Sequence, residues 1–351
     1  MKLLHSADLH LDTPFSGRSD EEARFLRREL RKVPGLLADL CRRESCDLVL
    51  LSGDLFDGAY TRESLDALRN ALAQMRVPVF ISPGNHDFCA GNSPYLTEVF
   101  PENVHIFANT SMDSAVLPEL SCRIYGAGFS SMDAPALLEG FRAECRERYA
   151  IGILHGDPTN AASPCCPVTR SQVQESGLDY LALGHIHKGG AFRAGSTLCA
   201  WPGCPMGRGW DETGIKGALI VTLEETADAR FVPLDTPRFF TPEAEIPQLR
   251  QVLPPAPTED FYRVTLVGES GSPDMGSLRA QFSHIPHLQL RDQTTPPFDL
   301  WEGAGDDNLT GVMLRILQEQ LAASDPENQE TIRLAAKLTR QIVSGQEVVL
   351  P

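Results

Sequence analysis

The sequence lacks the features that would place it in a membrane, secreted or thiol-based class. No apolar run approaches the roughly 20 residues that a membrane-spanning helix requires. Residues 1–6 lack the architecture of a secretory signal. None of the nine cysteines forms a Cys-x-x-Cys pair. An odd number of cysteines without an export signal favours reduced thiols, so we expect a cytoplasmic protein with no membrane partner.

Positive charge is also scarce. The 31 lysines and arginines are outnumbered by 47 aspartates and glutamates, which gives a formal net charge of -16. Such a surface repels phosphate backbones at long range, although two divalent ions would return about four positive charges locally. One basic cluster indicates either a solvated helix face or a patch for a substrate or partner. Its members are Arg24, Arg27, Arg28, Arg31, Lys32, Arg42 and Arg43.

Five short polar clusters are present, and each follows a short apolar run. They are Asp8-Leu9-His10, Gly53-Asp54 with Asp57, Gly84-Asn85-His86-Asp87, His155-Gly156 and Gly184-His185-Ile186-His187. Apolar runs of this length are typical of strands covered on both faces. Helical patterns lie between them, so the alternation predicts an α/β fold whose ligands gather beyond the carboxyl ends of the strands. The clusters should therefore converge on one site.

The elements between these clusters can be placed from capping and turn signals. The predicted strands are 2–7, 47–52, 77–82, 150–154 and 180–183. Ser19 and Thr61 are candidate caps of two helices, and Pro34 is expected to kink or split the first of them. Asp133, with Pro135 close behind, predicts a third helix. Three later runs predict successive antiparallel strands that finish a second sheet, at 191–200, 217–223 and 229–234.

The composition predicts two domains. A chain of 351 residues is long enough for one large and one small domain. We assign 1–240 to the first domain, the Pro-rich stretch 241–257 to a linker and 258–351 to a C-terminal domain. The second domain combines two strands with a helix and ends in two further helices, the last of which should stop at Gly345.

The residue types of the clusters suit two adjacent divalent metals. A two-metal hydrolase needs a ligand that bridges both ions, and the carboxylate of Asp54 is the best candidate. The other candidate ligands are Asp8, His10, Asn85, His155, His185 and His187. A mixture of imidazole and carboxylate ligands favours Mn, Fe or Zn over Ca or Mg.

Several neighbouring residues are candidates for chemistry or support. His86 is free to protonate a leaving oxygen or to steady charge in the transition state, and Asp87 is expected to orient it. Asp12 and Asp57 either bond a ligand histidine or cap a turn. For two basic residues, contact with a substrate phosphate competes with a plain surface role. They are Lys188 and Arg208.

The ordered clusters resemble the calcineurin-like metallophosphoesterase superfamily, over about residues 1–235. The resemblance implies a four-layer α/β/β/α sandwich of two mixed sheets flanked by helices, followed here by a small C-terminal α/β cap domain. It also implies that one metal takes Asp8, His10, Asp54 and His187, that the other takes Asp54, Asn85, His155 and His185, and that His86 is the catalytic histidine.

Further motifs are similar to one branch of that superfamily. The runs Asp8-Leu9-His10-Leu11-Asp12-Thr13-Pro14-Phe15, 183–188 and 201–217 resemble the YhaO-type branch of SbcD-like DNA repair exonucleases. This resemblance implies a Mn-dependent nuclease acting on DNA ends, a large SbcC-type ATPase partner and a homodimer. A small-molecule metallophosphatase or nucleotide phosphodiesterase is the alternative on the same site. A metal-binding scaffold subunit for an ATPase is a third.

Overall fold

The computed structural model describes residues 1–144, 146–297 and 299–343, which form two compact units. The first unit comprises Met1–Pro242, Pro254–Val264 and His284–Gln289. The second comprises Glu243–Leu253, Thr265–Ser283 and the described residues from Leu290 onward. Across the described ranges, every helix is too short or too polar to traverse a bilayer.

Two six-stranded sheets form the first unit. Their strands are β1 (Lys2–Ser6), β2 (Leu48–Leu51), β3 (Val79–Ile81), β4 (Val104–Ile106), β5 (Asp113–Leu117), β6 (Cys122–Gly126), β7 (Tyr149–His155), β8 (Tyr180–Gly184), β9 (Lys188–Ala194), β10 (Thr197–Gly203), β11 (Gly217–Leu223) and β12 (Ala227–Pro233). The first sheet has the order β12-β11-β1-β2-β3-β4, and the second has the order β5-β6-β7-β8-β10-β9. In each sheet the strands that precede the polar clusters run parallel, so those clusters emerge at one edge.

Helices cover the outer faces of these sheets. They are α1 (Asp20–Glu44), α2 (Arg62–Met75), α3 (Pro94–Thr97) and α4 (Arg170–Glu175). Alternate residues of β1 belong to different cores, since Leu4 packs with α1 and α2 while Leu3 packs between the sheets. In β7, Ile151 faces the same inter-sheet core and Ala150 faces the layer that contains α4. These layers confirm the predicted α/β/β/α sandwich.

Helix α1 is continuous through Pro34, so the expected split is wrong, while the expected kink stays a prediction. Ser19 caps its start by accepting a hydrogen bond from the Glu22 amide. A proline inside a helix costs about 3 kcal/mol. Leu30 and Leu37, on either side of Pro34, are buried against the first sheet, and burial of each such side chain contributes roughly 1.5–3 kcal/mol. Packing on both sides therefore outweighs the lost backbone bond.

Two further predictions need correction. No helix begins at Asp133 in the described chain, because the backbone of Ala134 forms a β-bridge with Cys165 instead. The run 191–200 is not one strand but parts of β9 and β10, which meet at Gly195 with a φ of +60°. Strands β11 and β12 are antiparallel as predicted, yet they extend the first sheet, because β11 pairs with β1.

The Pro-rich stretch 241–257 is more ordered than the predicted linker. It contains β14 (Glu243–Ala244) and α5 (Leu249–Val252), with a 3₁₀ turn between them that begins at Ile246 and has a proline at its first turn. Proline is common in the first turn of a helix, because the backbone amide that it lacks would have no partner within the helix there. Strand β13 (Phe239–Phe240) precedes the stretch, and β15 (Phe261–Leu266) follows it.

The second unit combines short strands and helices. Strand β14 pairs in parallel with Thr265 and Leu266. The remaining elements are α6 (Met275–Gln281), β16 (Leu288–Asp292), α7 (Leu309–Ala323) and α8 (Pro326–Val343). One small core cluster of the unit contains Ala304, Leu314 and Ala336. The predicted helix stop at Gly345 lies outside the described residues.

A buried histidine of β1 links the two sheets and gives a prediction for stability. His5 is fully buried, with Nδ1 2.7 Å from the Tyr180 hydroxyl and Nε2 3.1 Å from both Ser52 Oγ and the Leu183 carbonyl oxygen. Burial lowers the pKa of His5 to about 3, so the imidazole stays neutral in the folded protein.

Below its ordinary pKa of about 6.5, His5 takes up a proton in the unfolded chain but not in the folded one. Stability is therefore lost as the pH falls through that value. We expect His5→Gln to remove about 2 kcal/mol of the destabilisation that the metal-free protein shows between about pH 7.5 and pH 5. Urea unfolding of both proteins in EDTA measures this. Parallel pH dependences would contradict it.

Candidate metal centre

The polar clusters adopt backbone conformations that are unusual for their residue types. Asp8, His10, Asp54 and His185 all have positive φ, between 47° and 92°. Such conformations cost of order 1 kcal/mol or more each and persist where the surroundings impose them, which is typical of functional sites. Three of these residues directly follow or closely follow β1, β2 and β8, so the strained turns lie side by side at the sheet edges.

Glycines allow these turns to approach one another. A Cβ atom at Gly84 would lie 2.3 Å from Asp54 Oδ1, and one at Gly53 would lie 2.6 Å from His155 Nδ1. A Cβ atom at Gly184 would lie 2.0 Å from the Ser52 carbonyl oxygen. The glycines that precede the polar residues in the sequence are therefore required by close packing at the centre.

The seven predicted ligands converge on one another. His155 Nε2 lies 2.9 Å from Asn85 Oδ1, and His185 Nδ1 lies 3.2 Å from the same oxygen. On the other side, His10 Nε2 lies 3.0 Å from His187 Nε2. Asp8 Oδ1 accepts a hydrogen bond of 2.9 Å from the His185 amide.

Asp54 lies between these two groups of side chains. Its Oδ2 atom is 3.3 Å from His155 Nε2 and 3.7 Å from His10 Nε2. Its other oxygen accepts a hydrogen bond of 2.9 Å from the His86 amide. This position matches the one expected of a bridging ligand, although its assignment to two ions stays a prediction.

The donor set fits a pair of divalent ions. Three sets of ligand atoms each lie within 4.8 Å of one another: Asp8 with His10 and His187, His10 with Asp54 and His86, and Asp8 with Asp54 and His155. Asp8 Oδ2 and His10 Nδ1 are buried without a hydrogen-bond partner in the described structure. Buried polar atoms are normally satisfied, so an unmet oxygen among imidazoles indicates a cation site.

The acidic and basic side chains of the centre shift one another's pKa values. Burial alone would raise the pKa of Asp54, but the imidazoles of His155 and His10 outweigh it and hold that pKa well below its usual range. Burial opposes charge on His155 as well, yet Asp54 and Asp8 raise the pKa of His155 to about 9. A metal must therefore displace a proton from His155, which makes metal affinity dependent on pH.

Asp57, rather than Asp87, orients His86. His86 Nδ1 lies 2.8 Å from Asp57 Oδ1, and the His86 side chain is 41% exposed. The bond to Asp57 raises the pKa of His86. Asp57 Oδ1 also lies 3.6 Å from His10 Nδ1, so this carboxylate bonds the predicted catalytic histidine and lies close to a predicted ligand.

The predicted role of Asp87 beside His86 is wrong. Its buried carboxylate accepts hydrogen bonds from the amides of Gly84 at 2.7 Å and Leu55 at 2.7 Å, and from the Tyr95 hydroxyl at 2.5 Å. Asp87 therefore binds the two ligand-bearing turns together. Its interactions leave both oxygens committed to the protein interior, away from the His86 ring.

Asp12 contacts the start of α2 and makes no hydrogen bond to a ligand histidine among the bonds of the described chain. Its carboxylate accepts hydrogen bonds of 2.7 Å from the Thr61 amide and from the Ser64 hydroxyl. Thr61 is the N-cap of α2, so Asp12 binds the capped end of this helix to the first polar cluster.

Glu212, which lies in the run 201–217 but was not among the candidate site residues, contacts a predicted ligand. Its Oε1 atom lies 2.7 Å from His187 Nδ1 and 2.8 Å from Arg208 Nη2. Burial would raise the pKa of Glu212, but the bonds from His187 and Arg208 hold it far below its usual range. Arg208, predicted as a substrate contact, is thus largely engaged by Glu212. Lys188 is exposed at the start of β9.

Comparison with known proteins places these observations in a family context. The family model for calcineurin-like phosphoesterases matches residues 1–189. A Bacillus subtilis (strain 168) protein described as an uncharacterized metallophosphoesterase, YhaO, is 35% identical over 236 residues, covering 63% of this chain and 57% of that protein. This chain therefore spans little more than half of that relative's length.

Two solved structures are similar to about two thirds of the chain. A dimetal phosphatase from Danio rerio is 16% identical with a TM-score of 0.45, covering 67% of this chain and 98% of the other. The protein TT1561 of Thermus thermophilus is 11% identical with a TM-score of 0.41, covering 66% of this chain and 98% of the other.

Proposed function

The chain belongs to the calcineurin-like phosphoesterase family, and from that premise we propose that it is a two-metal DNA nuclease. Metal-dependent hydrolysis of phosphoesters is the chemistry that the family supports. Among metals we propose Mn²⁺ from the resemblance to SbcD-like nucleases, and the mixture of imidazole with carboxylate and amide oxygens is equally suited to Fe or Zn. DNA repair in the cytoplasm is part of the same proposal.

The observation that carries the choice of DNA is an open cavity beside the predicted ligands. The cavity has a volume of about 680 Å³ and is lined by Thr13, Arg18, Arg208 and Trp210 among others. Thr13 donates a hydrogen bond of 2.8 Å to the His10 carbonyl oxygen, which places the cavity wall against the first ligand cluster. A nuclease needs an open, partly basic groove, whereas a small-molecule phosphatase needs a closed pocket.

The chain's own residues divide the chemistry between them. Bound divalent ions lower the pKa of water and stabilise charge on a phosphate. Asp54 holds the two groups of ligands at a common carboxylate. Asp57 accepts a bond from His86 Nδ1 and favours its protonated form, so Nε2 can donate a proton to the leaving oxygen.

An SbcC-type ATPase partner and a homodimer belong to the proposal through the resemblance. Part of the basic cluster of α1 is already paired within the chain, because Lys32 and Arg28 both contact Glu29 and Arg42 contacts Asp39. With a net charge of -16, the chain is expected to gain much of its DNA affinity from a partner.

A nuclease assay tests the proposal directly. The Mn²⁺-loaded protein is expected to shorten linear single- and double-stranded DNA, and EDTA should stop the reaction until Mn²⁺ is restored. Bis(p-nitrophenyl) phosphate and mononucleotides serve as comparison substrates. If DNA stayed intact while mononucleotides were rapidly hydrolysed, the nuclease proposal would be wrong and a small-molecule phosphatase would be favoured.

A further inference from the structure

An arginine in the open cavity has an unusual environment. The Arg18 guanidinium carbon lies 5.4 Å from the Trp210 ring centroid, 5.0 Å from that of Phe239 and 5.2 Å from that of Phe261. The Arg18 side chain is only 10% exposed. Aromatic faces attract a cation, and such contacts grow stronger as water is removed. The three rings therefore hold the guanidinium in place without using its hydrogen-bond donors.

The charge of Arg18 is weakly paired. Within the described chain its ion-pair partner is Glu22, at 3.9 Å, which is too long for a hydrogen bond. By contrast, Arg238 Nη2 lies 2.8 Å from Asp260 Oδ2. Burial lowers the pKa of Arg18, which shows the cost of holding this cation away from water. A guanidinium has five N–H donors, so Arg18 retains several for an incoming acceptor.

The cavity wall next to Arg18 is a half-buried aromatic ring. Trp210 lies edge-on to Phe239, with centroids 5.2 Å apart and planes at 90°. The guanidinium of Arg263 lies 4.2 Å from the Trp210 centroid and fixes the indole further. Proteins that bind single-stranded nucleic acid combine aromatic side chains, which contact the bases, with basic groups that contact the backbone.

The cavity also adjoins the metal centre through one of its lining residues. Arg208 lines it, and Arg208 Nη2 lies 3.0 Å from His187 Nδ1 while Nη1 lies 4.0 Å from Asp57 Oδ2. This adjacency leaves room for a strand whose scissile phosphate reaches the ligands to extend into the cavity. Arg208 is neutralised by Glu212, which leaves Arg18 as the cavity's weakly paired cation among the described lining residues.

We propose that this cavity is a subsite for the nucleotide that flanks the scissile phosphate of a single DNA strand. Arg18 donates to the flanking phosphate, and the nucleoside packs against Trp210. The inference rests on the proposed nuclease function and names a residue that selects a polynucleotide over an isolated phosphate ester.

Binding, rather than cleavage, tests the subsite. The probe is a short single-stranded oligothymidylate with phosphorothioate linkages that resist hydrolysis, and its affinity for the Mn²⁺-loaded protein is measured by anisotropy at several salt concentrations. We expect Arg18→Gln to weaken binding about 10- to 100-fold. The slope of log affinity against log salt should become shallower by about 0.7, as for one lost phosphate contact on a single strand.

Two matched variants separate the subsite from loss of structure. Arg18→Lys keeps the charge and should retain the wild-type salt slope. Arg170→Gln removes another arginine that lies over an aromatic ring, 4.4 Å from the Phe192 centroid but outside this cavity, and should bind as wild type does. Hydrolysis of bis(p-nitrophenyl) phosphate should also be unchanged in Arg170→Gln.

Trp210 is tested with a probe of the same length and linkages that carries abasic sites. The wild type should prefer the base-bearing probe about 5-fold or more, and Trp210→Leu should abolish that preference. An unchanged salt slope in Arg18→Gln, or an unchanged preference in Trp210→Leu, would overturn the subsite. Failure of the wild type to cut ordinary DNA would instead count against the nuclease function, because the binding measurements do not depend on cleavage.

Discussion

Replacing Asp54 with asparagine is expected to abolish phosphoester hydrolysis, by more than about 10³-fold or about 4 kcal/mol of barrier. The Oδ2 atom of Asp54 lies within 3.7 Å of imidazole nitrogens from both groups of ligands. Asparagine has nearly the same shape but carries no charge and offers one oxygen instead of two. It therefore leaves the fold intact while removing the anion that two cations would share.

Metal content is the decisive measurement for Asp54→Asn. We expect elemental analysis after gel filtration to show that both ions are weakened together. Asp12→Asn is the matched control, because Asp12 bonds the N-cap residue Thr61 of α2, and its loss should cost about 1 kcal/mol of stability without loss of metal. Wild-type activity in Asp54→Asn, or the loss of one ion with full retention of the other, would show that another residue bridges the metals.

The strands of the sheets were predictable because each is marked by a short continuous run of apolar residues. Leu3 and Leu4 lie on opposite faces of β1, and both are fully buried, so a continuous apolar run is required where cores exist on both sides. A turn that follows such a strand must place its polar residues at the sheet edge. Strand position and residue type together therefore predict where Asp8 and Asp54 lie.

The side chains that tertiary packing brings into hydrogen-bond contact were much harder to predict. His86 and Asp87 are neighbours in the sequence, yet the chain turns so that Asp87 points into the interior and Asp57, from another cluster, meets His86. Glu212 follows no predicted strand, and only the packing of its loop brings it to His187. Adjacency in sequence is a poor guide to side-chain contact inside a tight turn.

The continuation of α1 through Pro34 was hard to predict for the same reason, because it depends on tertiary packing. The local preference of Pro34 is to break a helix, but the apolar residues on both sides of it lie on one buried stripe. Local sequence preferences determine where a helix ends only when packing does not oppose them. The stabilisation from burying this stripe could be assessed only once the first sheet was known.

Replacing His86 with alanine is expected to slow DNA cleavage by about 10²–10⁴-fold, the usual contribution of a general acid, while metal binding is retained. The physical reason is the His86–Asp57 pair, which favours a protonated imidazole beside the ligands. A general acid matters most when the leaving oxygen is strongly basic. We therefore expect the loss to shrink to about 10-fold or less on bis(p-nitrophenyl) phosphate, whose leaving group needs no proton.

Asp87→Asn and Asp57→Asn complete this comparison. Asp57→Asn should reproduce the dependence on the leaving group in weaker form, because it leaves the imidazole present but less often protonated. Asp87→Asn should lower the melting temperature and affect both substrates alike, since its amide would meet backbone donors where a carboxylate now accepts them. If His86→Ala lost equal activity on both substrates and also lost metal, His86 would be a ligand rather than a general acid. If only Asp87→Asn showed a dependence on the leaving group, Asp87 rather than Asp57 would orient His86.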